Sequence, residues 1–224
     1  MKSDELYLRA VQEGDLQSAA SFLAAAAASA GFTELAYHGT GGDAYTVFVP
    51  GEQGWYGSGI YFSSDKGFAE EHSWEHDNSR VMACFLKCAN PYRYTECSSL
   101  NGEANFDLIR EVFPKAEAKK ILAYMEEEAT GYIGAELTQK IQARGHDSLI
   151  AKNPFTEVRE YVVYSPNQVK SADPVAYDDY GEVVALSRRF LDSPDIRGDV
   201  VGLRGRAPAR AGSPMNLAPQ RRSP

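Results

Sequence analysis

Cysteine is scarce in this 224-residue chain. Cys84, Cys88 and Cys97 are too few, and odd in number, for a disulfide scaffold, and a reducing compartment at the site of action is the simpler reading. Positive charge is short as well: 23 Lys and Arg face 31 Asp and Glu, a net of −8. The chain therefore lacks the broad basic surface that binds phosphate backbones, although a local basic site stays compatible. Long apolar runs are missing. The longest, Phe22 to Ala30, is mostly alanine and about half the length a membrane span needs. It follows Asp4, Glu5, Glu13 and Asp15, not a basic stretch, so no membrane partner and no signal peptide are expected. Delivery by a route without such a peptide stays open. No phosphate loop, zinc-protease helix or Ser–His–Asp arrangement is visible.

What is present suffices for a core. Hydrophobic residues make up 43% and aromatics 11%, and the length suits one ordinary domain. Leu6, Leu8 and Val11 read as a first helix ended by Gly14. Asp15 is placed to cap a second, in which Leu16, Ala19, Ala20, Leu23 and Ala27 recur at helical spacing until Gly31. The period then changes. Glu34–His38, Tyr45–Val49, Ile60–Phe62, Val81–Leu86, Asp147–Lys152, Glu160–Tyr164 and Gln168–Ala172 read as strands. Ser64 or Asp65 is placed to cap a helix running to about Trp74. Further helical faces carry Ile121, Leu122 and Met125, and then Ile133, Leu137 and Ile141. Glu126–Glu128 reads as a solvated face. Strands and helices without strict alternation indicate an α+β domain.

Charge is uneven along the chain. Residues 193–224 carry six arginines and two aspartates, net +4, leaving −12 on the preceding 192. Rich in Pro, Gly, Ala, Ser and Arg, this segment is expected to be a disordered basic tail. The organisation read from sequence is a helical lead-in over 1–31, an α+β domain over 32–192 and the tail over 193–224.

Three polar residues stand where strand logic wants apolar ones. His38 ends a strand before Gly39-Thr40-Gly41-Gly42, where glycines let a ligand approach the backbone. Tyr61 lies in Gly57-Ser58-Gly59-Ile60-Tyr61-Phe62-Ser63. Glu160 opens Tyr161-Val162-Val163-Tyr164, and by two-residue alternation shares a face with Val162 and Tyr164. Singly, each fits a turn, a packing ring or a solvated carboxylate. A metal site is the competing arrangement, with His72-x3-His76 and Cys84-x3-Cys88 as its pairs. Structural zinc usually takes tighter Cys-x2-Cys turns, and no metal is expected.

Together, Tyr37-His38-Gly39-Thr40, Gly57-Ser58-Gly59-Ile60-Tyr61-Phe62-Ser63 and Glu160-Tyr161-Val162-Val163-Tyr164 resemble the His–Tyr–Glu signature of ADP-ribosyltransferases of the diphtheria-toxin and poly(ADP-ribose) polymerase class. The nearer resemblance is to the small bacterial and phage form found in polyvalent proteins. That form shares the alanine-rich lead-in, Gly145-His146-Asp147-Ser148-Leu149-Ile150, Ser165-Pro166-Asn167-Gln168-Val169-Lys170-Ser171-Ala172, and Arg189-Phe190 with Pro194-Asp195-Ile196-Arg197. The resemblance spans roughly residues 6–197. It implies a split β-sheet core with NAD, as substrate, in the cleft. His38 would bond the adenine-side ribose, the Gly39 backbone the carboxamide, and Tyr61 would stack on the nicotinamide. Glu160 would bond the nicotinamide-ribose, with Thr40, Ser63 and His72 as further cofactor-binding candidates.

Departures from the polymerase-type pattern matter. Ala69 stands where a carboxamide-binding serine often lies, so Ser63 or Ser64 is its candidate replacement. His72 stands where a second stacking aromatic often lies. Val158 replaces the acceptor carboxylate or amide of the arginine-directed toxins, and Glu157 is expected to face solvent. Phe155 and Arg159, in the 153–159 loop, are the acceptor-contact candidates. The resemblance implies mono-ADP-ribosyl transfer to a macromolecule, with protein favoured and nucleic acid as runner-up. NAD hydrolysis and a non-catalytic NAD-binding module are the alternatives. A monomer is expected, acting in a cytoplasm, that of a target cell if delivered. Toxin, injected effector and phage takeover protein are the settings the family suggests.

Overall fold

A computed structural model describes residues 2–41, 45–73, 80–96 and 105–198. Helix α1 (Lys2–Gln12) breaks at Gly14, whose φ of +74° suits glycine. The Asp15 carboxylate accepts from the Ser18 amide at 3.0 Å and starts α2 (Leu16–Ser29). Ala19, Leu23 and Ala27 face inward, whereas Leu16, in the first turn, is 55% exposed.

Then come β1 (Glu34–Thr40), β2 (Ile60–Ser63), α3 (Lys66–Glu71), β3 (Arg80–Leu86), β4 (Pro91–Thr95), α4 (Phe106–Val112), α5 (Lys115–Glu127) and α6 (Ala135–Ala143). The chain continues through β5 (Ser148–Lys152), β6 (Arg159–Val163), a 3₁₀ turn (Pro166–Gln168), β7 (Val169–Ser171) and α7 (Leu186–Arg189). The strands form one sheet in the order β4-β5-β6-β2-β1-β3-β7, with only β4 and β5 parallel. It is split in the middle. β1 matches β3 from Glu34–Leu86 to Thr40–Arg80, but meets β2 only where Tyr37 faces Ser63. The half-sheets β4-β5-β6-β2 and β1-β3-β7 thus diverge from that point and leave a cleft.

The two faces of the sheet carry separate cores. Leu108, Ile109, Leu137 and Ile141 from the helices cover Leu149 and Val162 of the first half-sheet. Burying each such side chain is worth about 1.5–3 kcal/mol. Ala36, Phe62, Cys84, Leu86, Tyr161 and Val163 form the second core. A third joins Tyr7, Ala10, Ala19 and Leu23 to Leu186, so the expected lead-in packs on the body. Its ties are polar too: the Tyr7 hydroxyl donates to the Pro174 carbonyl at 2.8 Å, and the Ser187 amide to the Asp4 carboxylate at 2.9 Å.

Two expectations are corrected. Tyr45–Val49 is not a strand: only Val47 makes an isolated bridge, to Asp195, because Phe48 is turned inward as a plug against His38 and Phe62. Residues 193–198 are not part of a tail. Asp195 and Ile196 are buried, the Ser171 amide donates to the Ile196 carbonyl at 2.8 Å, and the Ile196 amide to the Thr46 carbonyl. The buried Lys170 ammonium donates to the Ser193 and Asp195 carbonyls at 2.7 and 2.8 Å, and burial pulls its pKa down to about 8. The rest of the expected tail, with His76 and Cys97, lies outside the described residues. No helix among the described residues is long and apolar enough to cross a membrane.

Candidate active site

The split places β1 and β2 around a recess lined by Tyr37, Gly39, Tyr61, Phe62, Ser63, Phe68, Ala69, His72 and Glu160. Its interior holds only about 10 Å³, within about 240 Å³ of empty space that opens to solvent. Asp65 caps α3 by accepting from the Phe68 amide at 2.7 Å, and α3 forms one wall. That wall presses on Gly39, where an added Cβ would lie 2.0 Å from the Ala69 carbonyl oxygen. Only glycine permits this approach.

Tyr61 is pinned at its hydroxyl. It accepts from the Tyr56 amide at 2.9 Å and donates to the Gly57 carbonyl at 2.6 Å. An added Cβ at Gly54 would stand 2.3 Å from that hydroxyl oxygen, so the glycine-rich loop is shaped around the ring. Burial raises the phenol's pKa well above its usual range, and Tyr61 serves as a fixed aromatic face.

His38 does not line the recess. Alternation along β1 sends it to the other face from Tyr37 and Gly39, among Tyr45, Phe48 and Phe62. Its Nδ1 lies 2.7 Å from the Tyr61 carbonyl oxygen, which only accepts, so Nδ1 carries the proton. Burial lowers the imidazole pKa, so the ring is neutral and Nε2 accepts from the Tyr45 hydroxyl at 2.6 Å. The His38 and Tyr61 positions are thereby locked together.

Glu160 begins the inward face of β6 opposite Ser63. Burial, and then the Glu96 carboxylate, push its pKa up to about 8. It therefore holds its proton near neutral pH. Ser63 is buried in the wall, and its hydroxyl accepts from the Asp65 amide at 3.0 Å. Ser64 instead accepts from the Arg159 amide at 2.9 Å and ties β2 to β6. His72 Nδ1–H donates to the Phe68 carbonyl at 2.7 Å, and its ring tilts against Phe68. Thr40 is buried outside the recess, hydrogen-bonded to the Tyr45 hydroxyl. On the loop before Glu160, Phe155 is 73% exposed, Arg159 is also exposed, and Glu157 pairs with Lys152 at 2.6 Å. Among the described residues no three His, Cys, Asp or Glu are grouped to hold a metal ion.

Three residues beside this site were not singled out from sequence. Tyr45 sits on His38. Tyr56 is fully buried and donates its hydroxyl proton to the Glu96 carboxylate. No motif marks Glu96. Its only local signal is alternation with Tyr92 and Tyr94, which puts it on the face of the first core.

A split α+β sheet with a ring, a glycine backbone and a carboxyl converging on its cleft defines an ADP-ribosyltransferase-type architecture. The family model described as ADP-Ribosyltransferase in polyvalent proteins matches residues 30–176, and the chain belongs to that family. No curated protein matches it. Membership supports ADP-ribosyl transfer in general and makes NAD the expected substrate.

Proposed function

We propose that the protein transfers a single ADP-ribose from NAD to a macromolecular acceptor, a protein being favoured, and releases nicotinamide. The observation carrying this reading is the convergence of Tyr61, Gly39 and Glu160 on one recess at the sheet split. Nicotinamide stacks on the pinned Tyr61 ring, and its carboxamide meets the Gly39 backbone. With α3 this close, the Phe68–His72 wall shifts to admit the ring. The adenine-side ribose bonds His38 Nε2 by displacing the Tyr45 hydroxyl.

Glu160 does the electrostatic work. The pyridinium of bound NAD favours its ionised form. As the C1′–N bond breaks, the electron pair leaves with nicotinamide and the ribose becomes cationic. A fixed carboxylate beside that charge is worth about 3–4 kcal/mol, like other preorganised groups. The exposed Phe155 on the loop leading to Glu160 suits a protein acceptor better than a phosphate backbone.

The test is nicotinamide release from NAD by wild type and Glu160→Ala. Release by wild type alone supports the reading. Equal background release from both supports a non-catalytic NAD-binding module instead.

A further inference from the structure

Beyond the nicotinamide recess, the first core face carries a second carboxyl with an arrangement of its own. Glu96 follows β4, and its amide donates to the Lys152 carbonyl at 3.0 Å. This sets it at the end of β5, against the 153–158 loop that leads into Glu160. One carboxylate oxygen accepts from the Tyr56 hydroxyl; the other makes no hydrogen bond among the described residues. Tyr56 also holds Tyr61 through its amide, so one buried residue fixes both the ring and the carboxylate. Burial, and then the Glu160 and Glu96 carboxylates, raise the pKa of the Tyr56 phenol far above its ordinary value. With its proton held that tightly it stays a donor. Glu96 does not line the recess that takes the nicotinamide; strand register puts it on the sheet face of Tyr94, Ala151 and Glu160, two residues beyond that rung and beside the start of the 153–159 loop that carries the acceptor-contact candidates Phe155 and Arg159.

We propose that Glu96 accepts the proton of the incoming nucleophile, with Tyr56 as its positioning residue, and that the acceptor is a hydroxyl-bearing protein side chain. This rests on the transferase reading above. In the step, the hydroxyl oxygen forms a bond to C1′ as the C1′–N bond breaks. The electron pair of that bond leaves on nicotinamide, and the hydroxyl proton passes to the Glu96 carboxylate. Glu160 stays on the ribose. A carboxylate acceptor has no proton to surrender and would need no such base. Water can stand in for the hydroxyl, which makes NAD hydrolysis the probe.

The experiment uses the full chain, NAD, and azide as a nucleophile without a proton. Glu96→Gln should lose about 100-fold or more of water-supported nicotinamide release, the range for a positioned base, while NAD affinity by calorimetry is unchanged. Azide should restore release and yield azido-ADP-ribose. Tyr56→Phe keeps the carboxylate but loosens it, and should show a smaller loss that azide also restores; it carries the test if Glu96→Gln fails to fold. Glu160→Gln should not respond to azide. Full water-supported activity in Glu96→Gln, or losses in both Glu96→Gln and Tyr56→Phe that azide leaves in place, would overturn the assignment. A wild type that releases no nicotinamide would instead remove the transferase reading, and this proposal with it.

Discussion

Replacing Glu160 by glutamine should make the fold more stable, and increasingly so as pH rises. The carboxyl has a pKa of about 8 in the folded protein, against 4.5 for an ordinary one. The folded state therefore binds more protons than the unfolded state between these values. Stability from this group is fully present below about pH 4.5 and is lost as pH rises through 8. At about 1.4 kcal/mol per pH unit the full displacement amounts to about 4–5 kcal/mol, and partial hydration of a half-buried group reduces this to about 2 kcal/mol. Glutamine has the same shape and no charge to bury. Thermal unfolding followed by circular dichroism from pH 5 to 9 should show the two proteins together at pH 5. At pH 9 the variant should melt higher by roughly 4–8 °C, at 2–4 °C per kcal/mol for a domain of this size. A constant offset across the range, or a variant that melts lower at pH 9, would mean that Glu160 is not forced to ionise against a dry, acidic surrounding.

Three further outcomes follow from packing and hydrogen bonds. Gly39→Ala drives a methyl onto the Ala69 carbonyl and should cost about 1–3 kcal/mol, with weaker NAD binding; wild-type melting and affinity would mean that α3 yields freely. Tyr45→Phe removes the hydroxyl that occupies His38 Nε2 and should tighten NAD binding about fivefold, the worth of one competing hydrogen bond. Weaker binding by calorimetry would contradict the displacement. Ending the chain after Gly198 should leave the melting temperature in place, whereas ending it after Asp192 strips the buried Lys170 ammonium of both carbonyls. That loss should cost about 3–5 kcal/mol, and equal melting of the two truncations would refute it.

Local chemistry explains which parts were readable in advance. Asp15, Gly31 and Asp65 act within a few residues of themselves, and the structure uses each at a helix end. The alternation of Glu160 with Val162 is likewise a property of one strand. Tyr45–Val49 has the composition of a strand, but the aromatic it brings is consumed in packing against His38. Ser193-Pro194-Asp195-Ile196 has the composition of a tail, yet its backbone closes onto β7 and a lysine. Glu96 was illegible for a different reason: its partner Tyr56 is 40 residues away, and nothing between them hints at a meeting.

The ties between Tyr7 and Pro174 and between Asp4 and Ser187 bear on synthesis. Helix α1 leaves the ribosome more than 160 residues ahead of the partners it is tied to. Contacts of such long range form slowly. On a growing chain the opening helices must wait, with their apolar face exposed, until almost the whole catalytic body has been made. A chaperone has its natural window during that interval, and a half-made chain has no finished cleft.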